Sequence, residues 1–140
     1  MNATLMATPT RADAADRLAT YKRVLKISIG LNILVGIFIL CWPDKYTALL
    51  NMPDAFPSTW PRHWGAQLIA INLLYLPGLW SPIRHRYPNV LGIIIRLSFA
   101  LFFVFQGNGF GWMALYDGLF GALLAWTYWR AWQADMMAKP

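Results

Sequence analysis

The chain has 140 residues, of which 58% are hydrophobic, 16% aromatic and 13% charged. Because a soluble domain carries about 25% charged residues, this composition excludes an ordinary water-soluble globule. The formal charge of +6 does not indicate nucleic-acid binding, since the basic residues stand at the ends of apolar runs and not in a patch with interleaved aromatics.

Residues 1–20 contain no long apolar run and are predicted to form a polar cytoplasmic tail without a cleavable signal peptide. Residues 13–26 carry apolar side chains near helical spacing, so a short amphipathic helix and a frayed tail are equal alternatives there. The first membrane span is predicted at about residues 24–42, and Pro43 ends it.

A loop over residues 43–62 follows, and its apolar piece 46–52 could form a short interfacial helix. The second span is predicted at about residues 63–80, with a kink or frayed turn near Pro77. The third and fourth spans are predicted at about residues 90–106 and 112–132, before a polar cytoplasmic tail over residues 133–140.

The predicted fold class is therefore all-α: an integral membrane four-helix bundle over residues 21–132. With both termini in the cytoplasm, nine basic residues lie inside and two, Lys45 and Arg62, lie outside, which is the bias that bacterial inner-membrane proteins show. Tryptophans near the predicted span ends are typical of an aromatic belt. The apolar runs lack the alternation that a membrane β-barrel requires.

Arg96 and Asp117 are ionisable residues inside predicted spans, where a charge costs about 2.5 to 3.5 kcal/mol and usually faces protein or water. Counting about 1.5 Å per residue from the span ends places them on the order of 10 Å apart in depth. A direct pair would then require the arginine to reach far outward, and Arg62 is an equally good partner for Asp117. These residues predict either a polar binding site or a structural pair.

Asn32 and Asn72 are uncharged polar residues within the first and second spans, and both are expected to point inward. Ser28, Asn32 and Gly36 share one face of the first helix, and similar stripes of small residues accompany Arg96 and Asp117. Small stripes let membrane helices approach closely, so packing is an alternative to a site. The candidate polar site comprises Arg96, Asp117, Asn32, Asn72 and Arg62.

No cofactor or metal is expected, and no catalytic residue is identified. Cys41 is the single cysteine, which rules out an intramolecular disulfide and a cysteine-based metal centre within one chain. A phosphate-binding loop, a zinc-protease motif and a nucleophile elbow are all missing from the sequence.

Three short segments carry a family resemblance: Arg62-His63-Trp64-Gly65, the lone Arg96, and Tyr116-Asp117-Gly118. With its four spans, the chain resembles the small bacterial four-helix membrane proteins grouped as DoxX-like. This resemblance covers residues 24–132 and implies an accessory membrane role. Because the family includes a subunit of a quinone-linked sulfur-oxidising complex, it also implies a quinone-linked redox accessory subunit as one alternative.

The main functional hypothesis is a non-enzymatic membrane component, either an accessory subunit of a larger complex or a small binding module. Its partners would be the lipid bilayer and other membrane subunits or further copies of this chain, without nucleic acid. The second hypothesis is a subunit of an oligomeric transporter or channel, with a path that uses Arg96, Asp117 and the two asparagines.

Overall fold

The computed structural model describes residues 10–54, 56–107 and 109–138. The described residues form helices and no strand, which confirms the all-α prediction. Within these described ranges, six helices follow one another: α1 Arg11–Cys41, α2 Pro43–Leu49, α3 Thr59–Leu74, α4 Leu76–Trp80, α5 Arg86–Gln106 and α6 Gly111–Met137.

Helix α1 begins well before the predicted first span, because a capping box fixes its first turn. The Thr10 hydroxyl accepts a hydrogen bond from the Asp13 backbone N–H, and the Asp13 carboxylate accepts one from the Thr10 N–H at 2.8 Å. The Thr10 hydroxyl also donates to the Asp13 carboxylate at 2.8 Å, and the two hydrogen bonds that Thr10 donates hold the pKa of Asp13 below its usual value. Residues 11–20 of the predicted tail are therefore helical, and residues 1–9 lie outside the described residues.

Prolines set the ends of the next elements. Pro43 occupies the first turn of α2, where its missing N–H costs nothing, so the predicted interfacial helix forms slightly earlier than residues 46–52. Pro77 lacks the N–H that would continue α3, and the helix breaks at Tyr75 before resuming as the short α4. At the other end of the chain, α6 extends to Met137, so most of the predicted C-terminal tail is helical.

The helices pack in the spatial order α3, α1, α6, α5, with α1 and α6 at the centre. Helix α1 contacts both α3 and α6, whereas α5 packs mainly against α6. Within the described part of the chain, α3 and α5 lack an extensive contact with each other. The bundle is therefore open on the side between α3 and α5.

Small residues permit a close approach between α1 and α3. A Cβ added to Gly65 would lie 2.7 Å from the Gly36 carbonyl oxygen, and one added to Gly36 would lie 2.7 Å from Cγ1 of Ile69. On α6, a Cβ at Gly121 would lie 2.8 Å from the Leu97 side chain of α5. The stripes of small residues thus serve packing, as one of the two sequence interpretations predicts.

Two helices, α1 and α5, are long and apolar enough to cross a membrane by length and composition, whereas four such spans were expected. Only 33% of the apolar window of α1 and 28% of that of α5 are buried inside the bundle. Helix α3 stops after 16 residues because of the break before Pro77, and α6 carries Asp117 among several tryptophans and tyrosines. These features lower the membrane signal of α3 and α6.

Candidate binding site inside the bundle

The candidate site starts from a buried ion pair at the middle of the bundle. Nη1 of Arg96, on α5, donates a hydrogen bond to Oδ1 of Asp117 on α6 at 2.9 Å. Nη2 of Arg96 donates to Oγ of Ser28 on α1 at 2.8 Å. The guanidinium also lies over the ring of Phe120, at 6.0 Å from its centroid. One arginine therefore joins three helices.

The direct pair corrects the expected depth separation of about 10 Å. Helix α5 starts at Arg86, so Arg96 lies ten residues from either end, or about 15 Å. Asp117 lies six residues after the start of α6, or about 9 Å from its outer end. The remaining difference of about 6 Å is spanned by the long arginine side chain. Arg62 is exposed at the start of α3, and Asp117 pairs with Arg96 instead.

A second group of polar side chains connects α6, α1 and α3 beside the ion pair. The Tyr116 hydroxyl donates to Oδ1 of Asn32 at 2.8 Å, and Nδ2 of Asn32 donates to Oδ1 of Asn72 at 3.0 Å. Nδ2 of Asn72 donates in turn to the Leu68 carbonyl oxygen at 2.7 Å. Tyr116 thus belongs to the site, although its sequence signal was only its place beside Asp117.

Four of the five candidate residues point inward. Asn72 is 1% exposed, Asn32 3% and Arg96 5%, while the side chain of Asp117 keeps 18% of its surface accessible. A buried polar group costs free energy unless it is hydrogen-bonded, and these groups satisfy one another. Arg62 is the exception because it is exposed.

These polar groups form the inner end of a cavity of about 390 Å³. The inner end of the cavity is lined by Asn32, Asn72, Arg96 and Asp117. On each helix, this residue is at or next to the lining residue that lies farthest from α2. Apart from Gln67, the walls nearer α2 are apolar or aromatic and include Val35, Phe38, Ile71, Phe99, Phe103 and Met113. The cavity is therefore polar at its floor and apolar along its walls, and its volume lies within the range of small-molecule sites.

One opening of the cavity lies on the open side of the bundle, and further exposed lining residues, Leu49 at 71% and Trp112 at 64%, lie at its α2 end. The lining residues Ile71 of α3 and Phe99 of α5 are 37% and 48% exposed, and Gln67 of α3 is exposed beside them. Because α3 and α5 stay apart, an elongated molecule could enter sideways between them.

Helix α2 covers the outer end of the cavity. Its Tyr46 is buried, with its ring 5.8 Å from that of Trp64 and 6.1 Å from that of Phe38. Burial, with a smaller effect of the Asp117 charge, raises the pKa of Tyr46 to about 12, so this hydroxyl stays neutral at physiological pH. The cavity thus has an aromatic roof and a lateral mouth.

The sequence did not indicate a separate polar cluster at the end of the bundle where α4 and α5 connect. Oδ1 of Asn89 accepts a hydrogen bond from the Tyr21 hydroxyl at 2.7 Å. Nδ2 of Asn89 lies within hydrogen-bonding distance of three carbonyl oxygens, those of Gly78, Pro82 and His85. Asn89 therefore fastens the connection between α4 and α5 to α1.

The cavity floor offers a ligand hydrogen-bonding groups and an ion pair whose two charges cancel. Among the described residues, no three histidine, cysteine or acidic side chains come together as a metal site would require. Comparisons with protein-family models, curated proteins and solved structures found no match to this chain. The geometry of the cavity is therefore the basis for inferring a function.

Proposed function

We propose that this chain is a four-span bacterial inner-membrane protein that binds an apolar small molecule, taken from the bilayer, in the cavity between α3 and α5. It would act as a non-enzymatic binding module, either as a homo-oligomer or as an accessory subunit of a membrane complex. The resemblance to DoxX-like proteins supports such an accessory role. The lateral mouth of the cavity is the observation that carries the proposal.

The first support for four crossings is the apolar surface of the bundle. Large side chains around its circumference are exposed, among them Leu34 at 63%, Leu101 at 60% and Phe105 at 77%. A soluble monomer rarely exposes a continuous apolar surface of this extent. The low burial of the apolar windows in α1 and α5 also distinguishes them from core helices of a soluble protein.

The two weaker helices are long enough for the same task. The segment from Thr59 to Trp80, which comprises α3, Tyr75 and α4, has 22 residues and could extend about 30 Å. Helix α6 has 27 residues and holds Asp117, the one acidic residue of the predicted span 112–132, against Arg96 on α5. An intramembrane carboxylate that faces the bundle interior and is paired is compatible with insertion.

Charge and aromatic residues support cytoplasmic termini. The start of α1, the connection between α4 and α5, and the end of α6 lie at one end of the bundle, where Lys22 Nζ donates to the Trp80 carbonyl oxygen at 3.1 Å. Arg86 lies over the Trp132 ring at 5.9 Å in the same region. A basic end with interfacial tryptophans is typical of the cytoplasmic side.

The binding module accounts for the polar residues better than a transporter or channel does. A pathway for a polar solute requires polar groups from one membrane face to the other. Here most polar groups gather at the floor of the cavity and bond to one another, while its outer walls, except for Gln67, are apolar or aromatic. Such a cavity suits a molecule that dissolves in the bilayer.

Photolabelling in phosphatidylcholine nanodiscs tests the proposal. A long-chain probe with a diazirine in its chain should label wall residues Phe103 and Met113 saturably, whereas labelling of the outward-facing Leu101 should rise in proportion to the probe. Ile71→Trp at the mouth should reduce the saturable labelling, and Leu101→Trp on the outer face of α5 is the matched control. Labelling of the wall that never saturates, or that both variants leave unchanged, would contradict the proposed binding.

A further inference from the structure

We infer that the bound molecule is an uncharged amphiphile with a hydroxyl head, and that this hydroxyl hydrogen-bonds to the Arg96–Asp117 pair at the floor of the cavity. This inference rests on the proposed binding function and adds the chemical class of the ligand. Three features of the site carry it: its charge, its unused hydrogen-bonding groups, and its position in the membrane.

The charge of the site is balanced within the protein. Among the described residues that line the cavity, Arg96 and Asp117 are the two charged ones, and they neutralise each other at 2.9 Å. A sulfonate, phosphate or ammonium head would therefore bring a net charge into an apolar environment without a counter-ion. Burying such a charge is costly, so an uncharged head is favoured.

The pair retains both a donor and an acceptor for a ligand. A guanidinium has five N–H donors; the hydrogen bonds to Asp117 and Ser28 use two of them, and the Tyr116 hydroxyl is a further partner of Arg96, which still leaves donors for a ligand. The ion pair uses Oδ1 of Asp117, and the side chain keeps 18% of its surface accessible beside the cavity, which leaves Oδ2 for another donor. A hydroxyl group can donate to this carboxylate and accept from this guanidinium at the same time.

The depth of the floor excludes the ordinary orientation of a phospholipid. Arg96 lies at the midpoint of α5, about 15 Å from either end, which is near the middle of a hydrocarbon core about 30 Å thick. A phospholipid keeps its head at the interface and would direct its tails toward the polar floor. A single-chain alcohol can instead place its hydroxyl at Arg96 and lead its chain along the apolar wall past Phe99 into the bilayer.

Competition for the photolabelled site tests the head group. A long-chain alcohol with a diazirine in its chain serves as the probe and labels the wild-type protein in phosphatidylcholine nanodiscs. Three competitors without the diazirine have the same chain length and carry a hydroxyl, a sulfonate or a quaternary ammonium head. The hydroxyl competitor should abolish labelling of Met113 at a concentration at least tenfold lower than either charged competitor requires. This ratio corresponds to a difference of about 1.4 kcal/mol in binding free energy.

Two single variants should change this preference in opposite directions. Asp117→Asn leaves the Arg96 charge without its partner, so the sulfonate should become the strongest competitor. Arg96→Gln leaves the Asp117 carboxylate, so the quaternary ammonium should become the strongest. If one variant fails to assemble, the other variant and the competition series on the wild-type protein still test the inference.

The outcomes separate the inference from the proposed function. Saturable labelling that a charged competitor displaces as well as the alcohol does would overturn the hydroxyl class and leave the binding function in place. Saturable labelling that none of the competitors displaces would also overturn it. If no long-chain probe labels the cavity wall saturably, the proposed function itself is wrong, and the inference fails with it.

Discussion

Arg96 and Asp117 show how a charge is accommodated inside this bundle. The guanidinium is held by a carboxylate on α6 and a hydroxyl on α1, and 5% of Arg96 is exposed. Replacing a buried pair by neutral groups can be nearly neutral, whereas removing one partner leaves an uncompensated charge. The pair therefore ties the stability of three helices to the electrostatics of the cavity floor.

A double-mutant cycle measures this coupling. Asp117→Asn and Arg96→Gln should each lower the free energy of unfolding in detergent micelles by about 3 kcal/mol, because each leaves one charge buried and unpaired. The double variant should lose less than either single variant, and Asp54→Asn, an exposed change in the connection before α3, should stay within about 0.5 kcal/mol of the wild type. Additive losses would show that the two residues do not act as a pair.

Asn89 makes a second prediction at the residue scale. Asn89→Ala removes the partner of the Tyr21 hydroxyl and of three carbonyl oxygens, so the unfolding free energy should fall by about 2 to 3 kcal/mol. Tyr21→Phe removes one of these hydrogen bonds and should cost about 1 kcal/mol. Equal losses in the two variants, measured in the same micelles, would contradict the role assigned to the Asn89 amide.

The sequence identified the polar residues of the cavity floor but not their pairing. Arg96, Asp117, Asn32 and Asn72 could be singled out because each interrupts an apolar run, where a polar group needs a partner. Asn89 could not be singled out, since the sequence places it in a predicted basic connection, where a polar residue is ordinary. Neither Tyr116, which was named only in the family resemblance, nor Tyr21 was assigned to a polar cluster, because tyrosine is common both in cores and at interfaces.

At the scale of the helices, the contact of α1 with α3 depends on glycine. A Cβ on Gly36 would lie 2.9 Å from the Gly65 carbonyl oxygen and 2.7 Å from Cγ1 of Ile69, so α1 and α3 would have to separate. Gly36→Ala should therefore lower the unfolding free energy by about 1 to 3 kcal/mol. Gly30→Ala, on the same helix with nothing within 4 Å of the added carbon, is the matched control and should cause no loss.

This comparison contradicts the packing account if the two substitutions have the same effect. Helix propensity alone would make both changes favourable by up to about 1 kcal/mol, because glycine is a poor residue in a helix interior. Only the space around each residue distinguishes them. Unfolding by sodium dodecyl sulfate titration in mixed micelles is the appropriate measurement.

The helix limits were predicted less well than the helices themselves. Hydropathy locates the apolar centre of a helix, but the capping box at Thr10 and the proline at Pro43 set the actual ends of α1 and α2. Helix α5 starts at Arg86, earlier than predicted, because its first turn of Arg86, Tyr87, Pro88 and Asn89 carries no apolar signal, and this start brings the estimated depth of Arg96 closer to that of Asp117. Local backbone chemistry, and not composition, decides these positions.

At the scale of the whole molecule, the functional feature is the open side of the bundle. A sequence with four apolar runs is compatible with several spatial orders, and nothing in a single sequence selects α3, α1, α6, α5. That order keeps α3 and α5 apart and leaves the cavity accessible from the side. The proposed binding function follows from this gap only if the gap faces lipid.

Cysteine accessibility in intact cells tests that requirement most directly. Single cysteines are introduced in a Cys41→Ser background and treated with a membrane-impermeant maleimide. The maleimide should react from outside with Asp44→Cys and Gly111→Cys, which lie at the proposed outer end. It should not react with Ala12→Cys, His85→Cys or Met137→Cys, which lie at the proposed cytoplasmic end. The three inner cysteines should react only after the membrane is permeabilised. Reaction of any inner cysteine in intact cells, or of neither outer one, would contradict four crossings with both termini in the cytoplasm.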